Sequence, residues 1–511
     1  MLIELSGYRG VRRGIGMQSP RATFWGQTEK FTGHRPQRLS YNGGLTTSSS
    51  TRTPAMSHPT SDRPNLVAPP ATADADQAVS NAAHATASTR RKFLGVSATA
   101  TAALSSMVHT STARAEETRE LRIGVVGCGG RGSGAILDSL NINENVKFVS
   151  VADLDGAKCE NLRRAMAKRH ADKVDVADDK MYTGLDAYKH VLDDPEVDVV
   201  ILTTSPGFRP YHITDAVAAG KHVFAEKPTC IDAAGYHMCL KAHEQAEANK
   251  TAIVTGTQYR RQVNYIGAVE QIRAGAIGDI VSAVTRYCSN GIWYKNREPG
   301  MSDTEYQLYN WMHFIWLSGD QICEQAVHNI DTINWVMDSA PVSAYGGGGR
   351  FTRPEDSEMW DSMQIDYEYP GNRIVSFKCR QIPGTEADNG SVIYGTQGMC
   401  YIGAASSGSH ITDRSGKEIW KMEGSIGAAY QQEHKDLIDS IRAGRPIVEL
   451  KQTAESSLTA VLGRLAAYTG KKVTWDFLTK ESKLDLFPKD LKIDAKLPPP
   501  AFAIPGQTPL V

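Results

Sequence analysis

One segment near residue 120 restricts the possible folds most strongly: an apolar run ends in a glycine-rich turn that leads into a helix-forming stretch. The run Leu121–Gly127 is rich in β-branched residues, as is typical of a buried parallel strand. The turn reads Gly-Cys-Gly-Gly-Arg-Gly over 127–132 and matches G-x-G-x-x-G, and a helix is predicted over Ser133–Leu140. Together these features predict the first βα unit of a dinucleotide-binding sheet.

The glycines and the next strand each have a physical role in such a unit. Gly127 permits the tight turn, Gly129 lets the backbone approach a pyrophosphate, and Gly132 lets helix and strand pack closely. The helix N-terminus offers free N–H groups and a positive dipole end. The second strand, Val146–Ala152, leads into Asp153, whose carboxylate can bind the adenosine ribose hydroxyls. That charge favours NAD, and NADP remains an alternative because the preference depends on this one residue.

The segments that follow repeat the alternation of strand and helix. It predicts an α/β fold with a doubly wound parallel sheet, a Rossmann domain, over residues 116–256. Beyond it, β-rich or alternating patterns predict strands at 280–287, 363–369, 373–380, 392–395 and 399–402. Within the Rossmann half, the predicted strands are 197–203, 221–225 and 251–255, and the predicted helices are 213–219 and 231–248.

Length and charge exclude several other classes of protein. The 511 residues allow two to four domains, and the hydrophobic fraction of 41% is ordinary for a soluble globular protein. The formal net charge of -1 gives no overall attraction to nucleic acid, so no nucleic-acid partner is predicted. The eight cysteines show neither CxxC nor zinc-ligand spacing, so neither a metal site nor a disulfide framework is predicted.

The first part of the chain differs in character from the rest. Residues 1–88 are rich in small and polar residues with apolar runs of three at most, which predicts a disordered leader. The alternative is that this segment is not translated, because Met56 or another internal start is used. Ser88–Leu94 contains Arg90-Arg91 and resembles the twin-arginine export motif; a mild apolar stretch and a small-x-small site at 113–115 follow. The alternative is a basic patch before an amphipathic helix. We expect a twin-arginine signal peptide at 89–115, the Tat machinery as partner, a periplasmic or otherwise exported protein, and no permanent membrane span.

Three further motifs point to one family. Glu226-Lys227-Pro228 ends a predicted strand, and Gly319–Asp331 carries Glu324 and His328 four residues apart. Glu433–Gly444 has the pattern of a late helix. With these motifs the chain from 121 to about 476 resembles the Gfo/Idh/MocA oxidoreductases. Glu324 stands where Asp is usual in that family, which lengthens the carboxylate arm, and we expect it to share one helix face with His328.

The resemblance implies the rest of the architecture. Residues 257–476 would form an α+β domain with an open, largely antiparallel sheet, which supplies the substrate pocket and the interface of a dimer or tetramer. Residues 477–511 would be an extended tail. Lys227 would lie between the nicotinamide and the substrate, and a cis peptide bond would precede Pro228. The chain would therefore be a homo-oligomer.

The chemistry implied is hydride transfer between NAD(P) and a secondary alcohol of a sugar or polyol. Such a reaction needs a base for the hydroxyl proton and a nearby nicotinamide. We predict that His328 is the acid–base group, that Lys227 orients the hydroxyl and stabilises the alkoxide, and that Glu324 binds substrate hydroxyls or tunes His328. The individual alternatives are a core histidine for His328 and a surface ion pair with Glu226 for Lys227.

The remaining predicted site residues bind the two ligands. For the substrate they are Tyr259 or Arg260 after a strand end, with a solvated basic turn as alternative, and Trp311 or His313 in an aromatic segment that is more often core. The predicted cofactor-binding residues are Gly127, Cys128, Gly129, Gly130, Arg131, Gly132, Asp153, Ser205, Pro206, His212, Glu226 and Lys227.

Export would change what the cofactor can do. Outside the cytoplasm a released NADH could not easily be replaced, so we expect a tightly bound cofactor that is regenerated within each cycle. Two other functions stay open. One is an NAD-dependent glycosidase or epimerase with an internal redox cycle, although such glycosidases usually read Glu-x-Pro without a residue like Lys227. The other is a non-catalytic exported binding protein with the same fold.

Overall fold

The computed structural model describes residues 119–511. The predicted leader at 1–88 and the predicted signal peptide at 89–115 lie outside the described residues. Within 119–511, no helix combines the length and the apolar composition that crossing a membrane requires. No group of three His, Cys, Asp or Glu side chains in that range is arranged to hold a metal ion.

The first half forms a six-stranded parallel sheet, so the predicted Rossmann architecture is confirmed. The strand order is β3-β2-β1-β4-β5-β6. Successive residues of its strands enter cores on opposite faces: Ile123 and Val125 lie in one, and Val126 lies in the other. The elements are β1 Leu121–Val126, α1 Gly130–Ile142, β2 Val146–Asp153, α2 Gly156–Arg169, β3 Met181–Thr183, α3 Ala187–Asp193, β4 Val199–Leu202, α4 Arg209–Ala218, β5 His222–Ala225, α5 Ala233–Asn249 and β6 Ile253–Thr255.

The second half forms a nine-stranded sheet in the order β14-β13-β12-β11-β7-β10-β9-β8-β15. Only the β7–β10 pair is parallel, so the expected largely antiparallel sheet is confirmed. Its strands are β7 Ile280–Ser289, β8 Ser343–Gly349, β9 Ser362–Tyr369, β10 Arg373–Gln381, β11 Asp388–Gly395, β12 Gly398–Gly403, β13 Ser409–Asp413, β14 Glu418–Met422 and β15 Val473–Thr474.

Helices cover one face of this sheet. Along β9 every second side chain is buried, from Met363 to Tyr369, as alternation predicts for a half-covered strand. The Tyr367 hydroxyl donates to the Thr459 carbonyl on the covering helix at 3.1 Å. The helices of this half are α6 Val263–Arg273, α7 Asp303–Tyr309, α8 Ile315–Ser318, α9 Asp320–Glu324, α10 Val327–Met337, α11 Ile426–Arg442 and α12 Leu450–Thr469.

One helix of the second half packs on the first sheet. Leu437 and Ile438 of α11 lie in the core formed by β1, β2 and α1. The Asn143 side chain at the end of α1 donates to the His434 carbonyl at 3.3 Å. The first sheet is therefore completed by residues from far along the chain.

Candidate active site

The site begins where four parallel strands end at the same edge of the first sheet. Gly127 follows β1, Asp153 ends β2, Thr203 follows β4, and Glu226 follows β5. The first three of these, with Ser205, line one cleft. Open α/β sheets bind their ligands at this edge, outside the carboxyl ends of the strands.

The glycine turn fits a dinucleotide. Gly127 has φ +95°, which favours glycine, and a Cβ on Gly132 would lie 1.9 Å from the Gly127 oxygen. A Cβ on Gly129, in contrast, would meet no protein atom within 4 Å, so this glycine leaves space on the cleft side. Helix α1 begins at Gly130 with no side-chain cap. The turn thus offers room and an uncapped helix N-terminus to a pyrophosphate.

Asp153 is held in position at the cleft. Its Oδ2 accepts a hydrogen bond from the Cys128 N–H at 2.6 Å, and its Oδ1 accepts one from the Asp155 N–H at 3.0 Å. The Lys158 ammonium lies 3.9 Å from Oδ1. The Cys128 side chain points into the core, 3.8 Å from the Cys159 sulfur, so Cys128 contributes its backbone rather than its thiol.

The far wall of the cleft contains residues that the sequence did not single out: Tyr188, Phe208 and Leu308. Predicted residues join them. The His212 ring stacks on Tyr188 with centroids 4.0 Å apart, and burial lowers the pKa of His212 to about 3, so it is neutral. Ser205 also lines this wall, whereas Pro206 is buried behind it.

Trp311, which was predicted to bind the substrate, lines this cofactor cleft with Asp153 and Leu308.

At the other end of the site, two predicted catalytic residues are in contact. The Lys227 ammonium donates to the Glu324 carbonyl at 2.6 Å and to its Oε1 at 3.3 Å. Both side chains are largely buried, with 13% and 14% exposed. The Lys227–Pro228 peptide bond is cis, as the resemblance implied.

His328 lies beside this pair. Burial, together with the positive charges of Lys227 and Arg131, lowers the pKa of His328 well below its usual range. The imidazole is therefore neutral at physiological pH, and a neutral imidazole has one ring nitrogen that can accept a hydrogen bond. The ring centroid of His328 is 5.2 Å from that of Tyr259, so Tyr259, a predicted substrate-binding residue, lies next to His328.

The expectation that Glu324 and His328 share one continuous helix is wrong. Glu324 is the last residue of α9, and His328 lies in α10, which begins at Val327. The helix ends because the N–H groups of Gln325 and Ala326 both donate to the Gln321 carbonyl, at 2.9 and 3.0 Å. These bonds close the last turn of α9, and the next helix, α10, begins at Val327.

Arg131 and Glu226 bind each other across the site. Arg131 Nε lies 2.5 Å from Glu226 Oε1, and its guanidinium lies 4.6 Å from the centroid of the Tyr430 ring. This pair ties the glycine turn to the end of β5. Arg209, which the sequence analysis missed, is buried beneath it and donates to the carbonyls of Glu226 and Thr204.

The structure does not bring Arg260 or His313 to the site. The Arg260 guanidinium donates to both Asp331 oxygens, at 2.9 and 2.8 Å, which holds it in an ion pair instead. The His313 ring is buried, 2.8 Å from the Ser357 hydroxyl and 2.7 Å from the Trp293 carbonyl. Both side chains have their hydrogen-bond partners elsewhere in the fold.

Comparison with known proteins gives matches in both halves. A model described as "Oxidoreductase family, NAD-binding Rossmann fold" matches residues 121–255, and "GFO/IDH/MocA C-terminal domain" matches 265–401. Inositol 2-dehydrogenase of Acidothermus cellulolyticus is 24% identical over 334 residues, which cover 64% of this chain and 86% of the relative. Myo-inositol 2-dehydrogenase of Thermotoga maritima is 20% identical over 364 residues, covering 69% and 96%.

Two solved structures share the fold. Levoglucosan dehydrogenase in complex with NADH and levoglucosan has a TM-score of 0.55 at 16% identity, covering 69% of this chain and 99% of that one. Aldose-aldose oxidoreductase from Caulobacter crescentus has a TM-score of 0.54 at 17% identity, covering 70% and 100%. At these identities the likeness is one of fold.

Proposed function

Because the chain belongs to the Gfo/Idh/MocA family of NAD-binding oxidoreductases, we propose that it oxidises a secondary alcohol of an inositol-like cyclic polyol or a related sugar. The observation that carries this proposal is the contact between Lys227 and Glu324 at the strand edge that also holds the glycine turn. The names of the inositol dehydrogenase relatives support the substrate class.

The residues divide the chemistry as follows. Bound NAD supplies the hydride acceptor. An ammonium has three N–H donors, and Lys227 gives two to Glu324, so one is left for a substrate oxygen. The neutral His328 accepts the hydroxyl proton, and the charge on Lys227 stabilises the alkoxide that results. The Glu324 carboxylate accepts hydrogen bonds from neighbouring substrate hydroxyls.

A substrate panel tests this function. The full chain with added NAD should form NADH with at least one cyclic polyol, and myo-inositol is the first to try. Chromogenic glycosides serve as the comparison, since a glycosidase with an internal redox cycle would release the chromophore without net NADH. Glycoside cleavage with no polyol oxidation would replace our proposal with that alternative. Binding of NADH without either reaction would favour a non-catalytic binding protein.

We further propose that the protein is exported by the twin-arginine route and retains its cofactor. Arg90-Arg91 and the small-x-small site at 113–115 support export. Protein purified after export without added nucleotide should release close to one NAD(H) per chain when it is denatured. Empty protein would contradict retention. Light scattering on the same preparation tests the homodimer or homotetramer that the family resemblance implies.

A further inference from the structure

The far wall of the cofactor cleft is built from residues that are distant from one another in the sequence. Phe208 comes from the turn after β4, whereas Leu308 and Trp311 come from the second half of the chain. The wall therefore combines residues from both halves of the chain.

Residues 484–498, which we name the C-terminal strap, pack on the outer side of this wall. Phe487, Leu491 and Leu497 of the strap belong to the same apolar cluster as Phe208 and Trp311. The buried residues of that cluster are Tyr306, Phe314, Trp316 and Leu317. The cluster thus joins the strap to the wall of the cofactor cleft.

Phe487 makes the central contacts of the strap. Its ring centroid lies 5.3 Å from that of Phe208, in an edge-to-face arrangement, and 4.4 Å from that of Tyr211. It lies 5.9 Å from the centroid of Trp316. Phe487 does not line the cleft itself, and its contact with the lining of the cleft is through Phe208.

Hydrogen bonds fix the strap at both ends. At its start, the Leu486 N–H donates to Asp232 Oδ2 at 2.9 Å, next to the first turn of α5 in the first half. At its end, the Leu497 N–H donates to Asp303 Oδ2 at 3.3 Å, and Ser302 donates to the Ile493 carbonyl. The strap therefore joins the Rossmann half to the segment that carries Leu308 and Trp311.

We propose that the C-terminal strap holds this wall against the cleft and so slows the release of NAD, with Phe487 as the positioning residue. The proposal rests on the proposed NAD-dependent function. For the wall to swing outward, its residues would have to leave the strap and expose apolar surface, which costs free energy. This would give an exported enzyme a physical means of keeping its cofactor.

The test compares three variants of the full chain by the dissociation rate of NADH. Phe487→Ala should release NADH faster, on the order of ten-fold, which corresponds to a change of about 1.4 kcal/mol. Phe487→Leu keeps most of the apolar volume and should fall between the alanine variant and the wild type. The matched control is Phe502→Ala, because Phe502 lies in the same tail but packs on Arg350, outside the cluster.

Thermal unfolding and the KM for the polyol separate positioning from general stability. If Phe487→Ala lowers the melting temperature but releases NADH as slowly as Phe502→Ala, the strap proposal is wrong. Should the alanine variant fail to fold, the leucine variant decides by the same comparison. A wild-type protein that binds no NADH would instead contradict the proposed function. The expected result is faster NADH release with an unchanged KM for the polyol.

Discussion

Replacement of Lys227 by methionine is expected to abolish nearly all alcohol oxidation while NADH binding is retained. Methionine keeps the length and the apolar body of the side chain but removes every donor and the positive charge. The Lys227 ammonium donates to Glu324. Under the proposed function its remaining donor and its charge stabilise the alkoxide, and methionine supplies neither. We expect kcat to fall about 10³-fold, within the range for a positioned acid–base or electrostatic group.

Two variants make this measurement specific. Glu324→Gln keeps an acceptor for the ammonium and removes only the charge, so its effect on kcat should be smaller than that of Lys227→Met. Lys435→Met removes a lysine from an exposed i,i+4 pair with Asp439 and should leave kcat unchanged. A Lys227→Met enzyme with kcat within ten-fold of the wild type would show that this lysine is not central to the reaction.

Asp153→Ser should reduce the preference for NAD over NADP about 100-fold. The carboxylate lies in the cleft, where it would repel a 2′-phosphate. Serine removes that charge, keeps a short hydroxyl that accepts hydrogen bonds, and leaves the Lys158 ammonium without its counter-ion. NAD affinity should fall and NADP affinity should rise, and the ratio of the two dissociation constants is the measurement.

The neighbouring Asp155 supplies the control. Its side chain caps α2 by accepting from the Ala157 N–H at 2.9 Å, and serine is also a good N-cap residue. Asp155→Ser therefore changes a carboxylate two residues away without removing the cap, and should leave the coenzyme preference intact. An equal loss of preference in both variants would mean that the general charge near the cleft, rather than the Asp153 carboxylate, selects the coenzyme.

The sequence predicted the parts of the site that depend on local chain geometry. Strand ends of a parallel sheet share one edge, so the predicted strands were enough to bring Gly127, Asp153 and Lys227 together. The contact between Lys227 and Glu324 was not predicted, because nothing in the spacing of two residues so far apart in the chain indicates it.

The missed features depend on hydrogen bonds and packing that sequence patterns do not show, and most of them join residues far apart in the chain. The helix ends after Glu324 because two N–H groups donate to one carbonyl, and the helical periodicity of the sequence does not reveal this. Arg260 was predicted to face the site because it follows a strand end, but a bidentate partner, Asp331, holds it elsewhere. Phe208 and Trp311 line the cleft and share an apolar cluster with residues of the tail, which are far away in the sequence. Pairings of this kind are set by tertiary packing, which one sequence does not display.

The position of α11 also bears on how the chain is made. A ribosome completes β6 long before it reaches Leu437 and Ile438, which close one face of the first sheet. Until then the nascent chain carries an uncovered apolar surface, of the kind that chaperones bind. Tyr430, which packs on Arg131 of the glycine turn, arrives equally late. The nucleotide can therefore be loaded into a finished site only after synthesis has passed α11, and translation and cofactor acquisition must occur in that order.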